Sequence, residues 1–182
     1  MRLLVSTQIF GHLDEFKALL EYAKLDLSND KLILLGDYLQ HGNQQKELID
    51  YLIELNNNEN VIILKGLIEE KYLDVFYNHN SIAEQNITRE NNLFYEYLDN
   101  KELRKKHLTF LKSLKDNYCF KNYLFSNECF NVDKYNNIFV ANKKDVPDDI
   151  IEEDNLLGLN FNNKIVGLVD ITNRQVYKIE LN

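Results

Sequence analysis

The sequence predicts an α/β fold built on parallel strands, and three observations carry that prediction. Short apolar runs alternate three times with amphipathic helical segments before residue 78, the order of a sheet wound with crossover helices. The loops leaving those runs carry Gly11, Gly36 and Gly66, at the strand ends where such sheets gather ligands. After residue 117 the pattern changes to short strands separated by turn residues, which adds a second strand-rich region.

Taken in order, residues 2–6 are a buried strand and Leu13 to Ala23 an amphipathic helix. Residues 31–36 form the second strand, Gln44 to Leu55 the second helix, and Asn56 to Asn60 an Asn-rich turn. Val61 to Leu64 is a third strand, followed by a helix near Glu69 to Tyr77. Residues 80–115 read as helical, with Phe94, Tyr95, Tyr97 and Leu98 in one segment and Leu103, Leu108, Phe110, Leu111 and Leu114 in the next. Strands are then expected at 118–120, 123–126, 137–141, 156–161, 164–170 and 175–179, with hairpin turns at Asn162-Asn163 and at 172–174. The acidic stretch from Lys143 to Asp154, which contains Pro147, reads as a surface loop. No repeat or linker divides the chain, so residues 1–182 are expected to form a single domain.

Composition narrows the function. With 182 residues, 45% of them hydrophobic, the chain can bury a sizeable core. A net charge of −8 argues against a nucleic-acid surface, and the basic cluster from Lys101 to Lys106 reads as the solvated face of a helix. Cys119 and Cys129 have no metal-type or CxxC spacing. Free thiols in a reducing cytoplasm, with each cysteine an inert strand hydrophobe, are expected. No apolar run approaches membrane-spanning length, so no membrane association is expected.

The most informative stretch is ILLGDYLQHG at 33–42, a strand running into a Gly-Asp loop with a second glycine at Gly42. Together with RLLVSTQIFGHLDEFKALL (2–20) and ILKGLIEE (63–70), it resembles the calcineurin-like metallophosphoesterases, in particular the small bacterial serine/threonine phosphatases and bis(5′-nucleosyl)-tetraphosphatases. LKSL (111–114) with YLFSNEC (123–129) is similar to the segment entering the fourth loop of that family, and IFVAN (138–142) to its last. Agreement over three successive strand–loop–helix units is far more specific than one motif. The resemblance implies a four-layer αββα sandwich, in which two mixed β-sheets are flanked by helices.

The family's reaction uses two divalent metals that clamp the phosphate and generate a hydroxide nucleophile. The resemblance places the first-loop ligands at Gln8 and Phe10, of which the second cannot ligate. Asp37 keeps the bridging carboxylate, whereas Gln40 and His41 replace an aspartate and a phosphate-gripping arginine. Leu67 and Ile68 stand for an asparagine ligand and a leaving-group histidine, with Glu69 retained in a supporting role. Asn127 and Ala141 stand for the later histidines. One carboxylate cannot hold two dications, and Phe10, Leu67 and Ile68 make the pocket floor apolar, so the pattern reads as a site refilled as core.

No catalytic residue and no cofactor are therefore expected. The preferred reading is an inactive relative that binds a protein partner or a nucleotide-like ligand. Two alternatives stay open. One is an active phosphoesterase that holds manganese or another divalent metal through Asp37, His12 and His41, with Asn127. The other is a structural subunit of a larger assembly. Asp37 has a plain structural reading as well, bonding loop amides, and His12 and His41 can be exposed loop residues. His79 and His107 are expected at the surface. Tyr72, Tyr77, Tyr95 and Tyr97 are expected in helical packing rather than in a base-stacking pocket.

Overall fold

A computed structural model of the chain describes residues 1–79, 92–128, 138–142, 150–153, 156–159, 161 and 164–181. The first half winds β1 (Leu3–Ser6), α1 (Leu13–Tyr22), β2 (Lys31–Leu34), α2 (Gln45–Leu55), β3 (Val61–Ile63) and α3 (Leu67–Asn78). Two further helices follow, α4 (Asn92–Asp99) and α5 (Lys101–Ser113). The second half is β4 (Asn117–Phe120), β5 (Tyr123–Glu128), β6 (Ile138–Asn142), β7 (Ile150–Glu153), β8 (Leu156–Leu159), β9 (Ile165–Asp170) and β10 (Gln175–Glu180). The expected helical stretch over 80–91 lies outside the described residues.

The strands form two five-stranded mixed sheets, ordered β10-β9-β1-β2-β3 and β4-β5-β6-β8-β7. β1, β2 and β3 run parallel, as the alternation predicts, and β9 joins them antiparallel along β1. Strands covered on both faces need apolar side chains at successive positions, which is why Leu3 to Val5 in β1 and Leu32 to Leu34 in β2 read as unbroken apolar runs. One face of the first sheet, with Leu4, Leu32, Leu34 and Ile63, packs against Phe16, Leu48, Tyr72, Tyr97 and Leu111 of the five helices. Its other face, with Leu3, Val5, Ile33 and Leu35, meets Phe125, Val140 and Leu157 of the second sheet and Phe161 just past β8. The expected class is thus present: two mixed sheets packed together with flanking helices. Any helical cover on the outer face of the second sheet lies outside the described residues.

Several local features differ from expectation. Asn162 and Asn163 lie outside the described residues, but the strands on either side of them form no hairpin with each other: β8 pairs with β6 and β7 whereas β9 pairs with β1 and β10. The two strands belong to different sheets, and Phe161 fills the space above Gly167, where a Cβ would lie 2.3 Å from its ring. The hairpin at 172–174 is present between β9 and β10. The acidic segment is not all loop, since Ile150–Glu153 forms an edge strand on β8. Charged residues are tolerated on an edge strand, where they also discourage pairing with another chain.

Cys119 is exposed on the edge strand β4 rather than buried, and Cys129 falls outside the described residues. His107 is fully buried, not at the surface, and bridges the Tyr97 hydroxyl at 2.9 Å and Asp50 at 3.1 Å. Of the four tyrosines, Tyr72 and Tyr97 are core, whereas Tyr77 and Tyr95 are about half exposed. No helix among the described residues is long and apolar enough to cross a membrane.

Candidate functional site

The loops leaving β1, β2 and β3 meet at the N-terminus of α3, beside the end of β5. The second loop carries most of the unusual backbone. Gly36, Asp37, Gln40 and His41 all have positive φ, as do Phe10 and Gly11 in the first loop. A non-glycine residue in that region costs roughly 1–2 kcal/mol, so these turns persist only because surrounding bonds hold them. The Ile9 and Phe10 amides donate to the Asp37 carbonyl at 3.2 Å each, and the Gly11 amide donates to the Tyr38 carbonyl at 2.7 Å. The Gly42 amide returns to the Phe10 carbonyl at 2.7 Å.

Glu69 is the centre of this arrangement. Its carboxylate is fully buried and accepts four backbone amides: Asp37 at 2.9 Å, Tyr38 at 2.9 Å, Leu39 at 3.2 Å and Gly66 at 3.0 Å. Glu69 is the third residue of α3, and the Gly66 bond is one half of a capping box. Gly66 has no side chain to supply the other half. The Asp37 carboxylate accepts the next helix amide but one, that of Ile68, at 3.2 Å. The Leu67 amide between them goes to the Asn127 side-chain oxygen at 3.3 Å, while the Asn127 side-chain nitrogen donates to the Leu35 carbonyl at 2.9 Å. Asn127 reaches both partners from an irregularity in β5, where the pairing with β6 skips a residue and the strand re-aims its side chain.

The head of a helix presents unpaired amides and a partial positive charge, and so attracts anions. Here Glu69, Asn127 and Asp37 take in succession the amide of the cap residue Gly66 and the first two amides of α3, those of Leu67 and Ile68. There is little room for anything else. A Cβ on Gly66 would lie 2.3 Å from the Asp37 nitrogen and 2.5 Å from its Oδ1, and one on Gly36 would lie 2.5 Å from the Gly66 Cα.

The structure brings Asp37, Leu67, Ile68 and Asn127 together through these bonds. Gln8 is buried in the first loop, and the Phe10 ring meets the edge of His41 with centroids 5.2 Å apart. Gln40 sits half-buried and His41 exposed on the second loop. Ala141 is not brought to this point: it lies within β6 and packs with Leu124 and Leu156, on the face of the second sheet turned away from the first. His12 precedes α1, with its Nδ1 3.9 Å from a Glu15 oxygen. Burial holds its pKa below the ordinary value, with Glu15 opposing that shift and His41 adding to it.

A pair of divalent cations does not fit this donor set. Phe10, Leu67 and Ile68 offer no side-chain donor, and both polar ends of Asn127 are committed to backbone groups. Among the described residues, which include His12, Asp37 and His41, no three His, Cys, Asp or Glu side chains come together in a group able to hold a metal. The role of Glu69 as acceptor of four amides went unread in the sequence. Its signal was the spacing Gly66-x-x-Glu69 at a helix start, which is a capping pattern.

Burial pushes the Glu69 carboxyl up to about 7, the neighbouring charge of Asp37 pushes the same way, and the loop amides pull against them. A carboxyl that binds its proton more tightly when folded contributes stability that is fully present below its unfolded value of 4.5 and is lost as pH rises through about 7. Asp37→Asn keeps an oxygen for the Ile68 amide and a residue type that tolerates φ of 60°, but removes the charge. The expected result is a lower Glu69 midpoint, read from its carboxyl 13C shift. A shallower loss of melting temperature between about pH 5 and about pH 8 should accompany it. His107, whose pKa burial lowers, acts in the opposite sense but equally in both proteins, so the difference between profiles isolates the pair. An unchanged midpoint would mean that the two carboxylates do not interact.

Comparison with known proteins agrees with the geometry of the frame. The family described as calcineurin-like phosphoesterase matches residues 1–171. The fold resembles that of a candidate diadenosine tetraphosphatase, with a TM-score of 0.68 at 12% identity, covering 100% of this chain and 94% of that one. It also resembles a hypothetical protein from Pyrococcus horikoshii OT3, with a TM-score of 0.65 at 15% identity, covering 100% and 88% of the two chains. A cold-active protein tyrosine phosphatase aligns with a TM-score of 0.51 at 15% identity, over 72% of this chain and 42% of its own. No curated protein matches the sequence. With the three strand–loop–helix units, the paired mixed sheets and the family match over nearly its full length, the chain belongs to the calcineurin-like phosphoesterase family.

Proposed function

We propose that this chain is a pseudophosphatase, a phosphoesterase scaffold that acts by binding a protein partner and does not hydrolyse phosphoesters. One observation carries the reading: the amides at the head of α3, and the loops that face them, are joined to one another by Glu69, Asp37 and Asn127. Bonds within the protein do the cross-linking that metals would do in an active relative. Without a metal, water near this point keeps a pKa close to that of bulk water, and no hydroxide forms at neutral pH.

The same geometry favours a protein over a nucleotide-like ligand. A phosphate approaching α3 would meet two carboxylates and amides that already have acceptors. Hydrolysis of a phosphoprotein or a dinucleoside polyphosphate is the opposing reading. Purified protein incubated with Mn²⁺ and either bis(p-nitrophenyl) phosphate or diadenosine tetraphosphate is expected to release no product above a protein-free blank. Turnover that disappears in both Asp37→Ala and His41→Ala variants would overturn the proposal.

A further inference from the structure

A groove of about 610 Å³ runs between α3, α4 and α5, on the helical side of the molecule. Its floor is apolar: Phe76, partly buried, packs on the buried Phe94 with ring centroids 5.5 Å apart, and Leu98 leaves half of its surface to solvent. Its rim is basic. Lys101, Arg104 and Lys105 of α5 line one side, with Glu102 the acid among them. The neighbouring Lys106 is spent on Asp50, and Lys46 on Glu96 at 3.9 Å. Among the described residues the three rim cations form no ion pair, and Arg104 instead lies over the Phe76 ring at 5.6 Å.

These cations are out of character for the chain, whose net charge is −8. A surface helix can carry lysines simply to stay hydrated, but that does not explain the exposed Leu98 and the partly buried Phe76 beside them. Apolar area with a charged border of one sign selects for a segment with the complementary pattern. We infer that this groove docks an acidic amphipathic segment of a partner protein, with apolar side chains on Phe76 and Leu98 and carboxylates facing Lys101, Arg104 and Lys105. The inference rests on the protein-binding reading above and supplies the chemistry of the partner.

The test is selection from a displayed library of random 16-residue peptides on the purified full chain. Each enriched peptide is then measured by fluorescence polarisation against the wild type and against Lys101→Glu/Lys105→Glu. Both lysines are exposed, and position 101 opens a helix, where a carboxylate is favourable, so the variant should keep the wild-type melting temperature. Enriched peptides are expected to be acidic, with apolar residues at helical spacing, and to bind the variant at least about tenfold more weakly. Peptides without acidic character, or peptides that bind both proteins equally, would overturn the inference. So would a concentration-dependent dimer of the wild type that the variant abolishes, since the occupant would then be a second copy. Metal-dependent turnover together with acidic-peptide binding would remove the non-catalytic reading and leave the groove standing.

Discussion

Replacement of Glu69 by alanine is expected to cost more than about 4 kcal/mol, a large share of the roughly 5–15 kcal/mol that holds a folded protein together. Four amides from two loops end on this one carboxylate, at 2.9 to 3.2 Å. A buried donor left without an acceptor costs roughly 1–3 kcal/mol, and a water entering the vacated space can serve only some of the four. The loss goes beyond a sum of bonds, because the positive φ angles of Asp37, Gln40 and His41 are held by the same network. Urea denaturation checks the expectation. Glu70→Ala is the control: its side chain is 54% exposed and pairs with Lys65 at 3.6 Å, so its loss should stay within about 1 kcal/mol. A Glu69→Ala protein as stable as that control would show that the loops stand without the carboxylate.

Gly66→Ala is expected to be nearly as damaging, at more than about 3 kcal/mol. The backbone conformation is not the cause, since φ of −101° and ψ of 176° are open to alanine. The cause is contact. The new methyl would lie 2.3 Å from the Asp37 nitrogen and 2.8 Å from a Glu69 oxygen, and would have to part the two loops. Backbone atoms cannot swing aside as a side-chain tip can. Denaturation again reports the effect. A loss below about 1 kcal/mol would mean that the loops have slack, and slack is what an ion would need.

The first three strand–helix units were legible because each carries a strong periodic signal. Leu3 to Ser6 and Lys31 to Leu34 are covered on both faces by tertiary packing, and α1 and α2 each turn one apolar face to the sheet. Sheet membership was not legible in the same way. Asn162-Asn163 has the composition of a tight turn, but turn residues do not encode which sheet the next strand joins. Charge misled at Ile150–Glu153, where acidic residues suit an edge strand as well as a loop. At His107 the signal was present and overlooked. The residue is four positions from both Leu103 and Leu111, on the buried face of α5, where Tyr97 and Asp50 satisfy its ring nitrogens. Tyr77 and Tyr95 show the converse error, since an aromatic residue on an amphipathic helix does not have to face the core.

In the site, the absence of a metal-binding side chain at Phe10, Leu67 and Ile68 could be read directly from the sequence. The bonds that join the loops there could not. The bonds from Asn127 span 60 residues to Leu67 and 92 to Leu35, and no local pattern announces them. They depend on a one-residue irregularity in β5 that turns the side chain toward the other sheet's loops. Ala141 illustrates the limit of a frame alignment in the second half of the chain. Its position in the last motif suggested a place in the site, whereas the strand register sets it opposite Gly158 and it packs with Leu124 and Leu156 on the outer face.

The central claim is that hydrogen bonds within the chain occupy the place that a pair of metal ions holds in an active relative. The most direct measurement is the melting temperature of metal-free protein with and without about 1 mM Mn²⁺, for the wild type and for Asp37→Asn. A ligand that does not bind the native state cannot stabilise it. Both proteins are therefore expected to melt at the same temperature with the ion as without it, to within about 1 °C. A rise of several degrees in the wild type that vanishes in Asp37→Asn would show a metal held at Asp37 and would contradict this account.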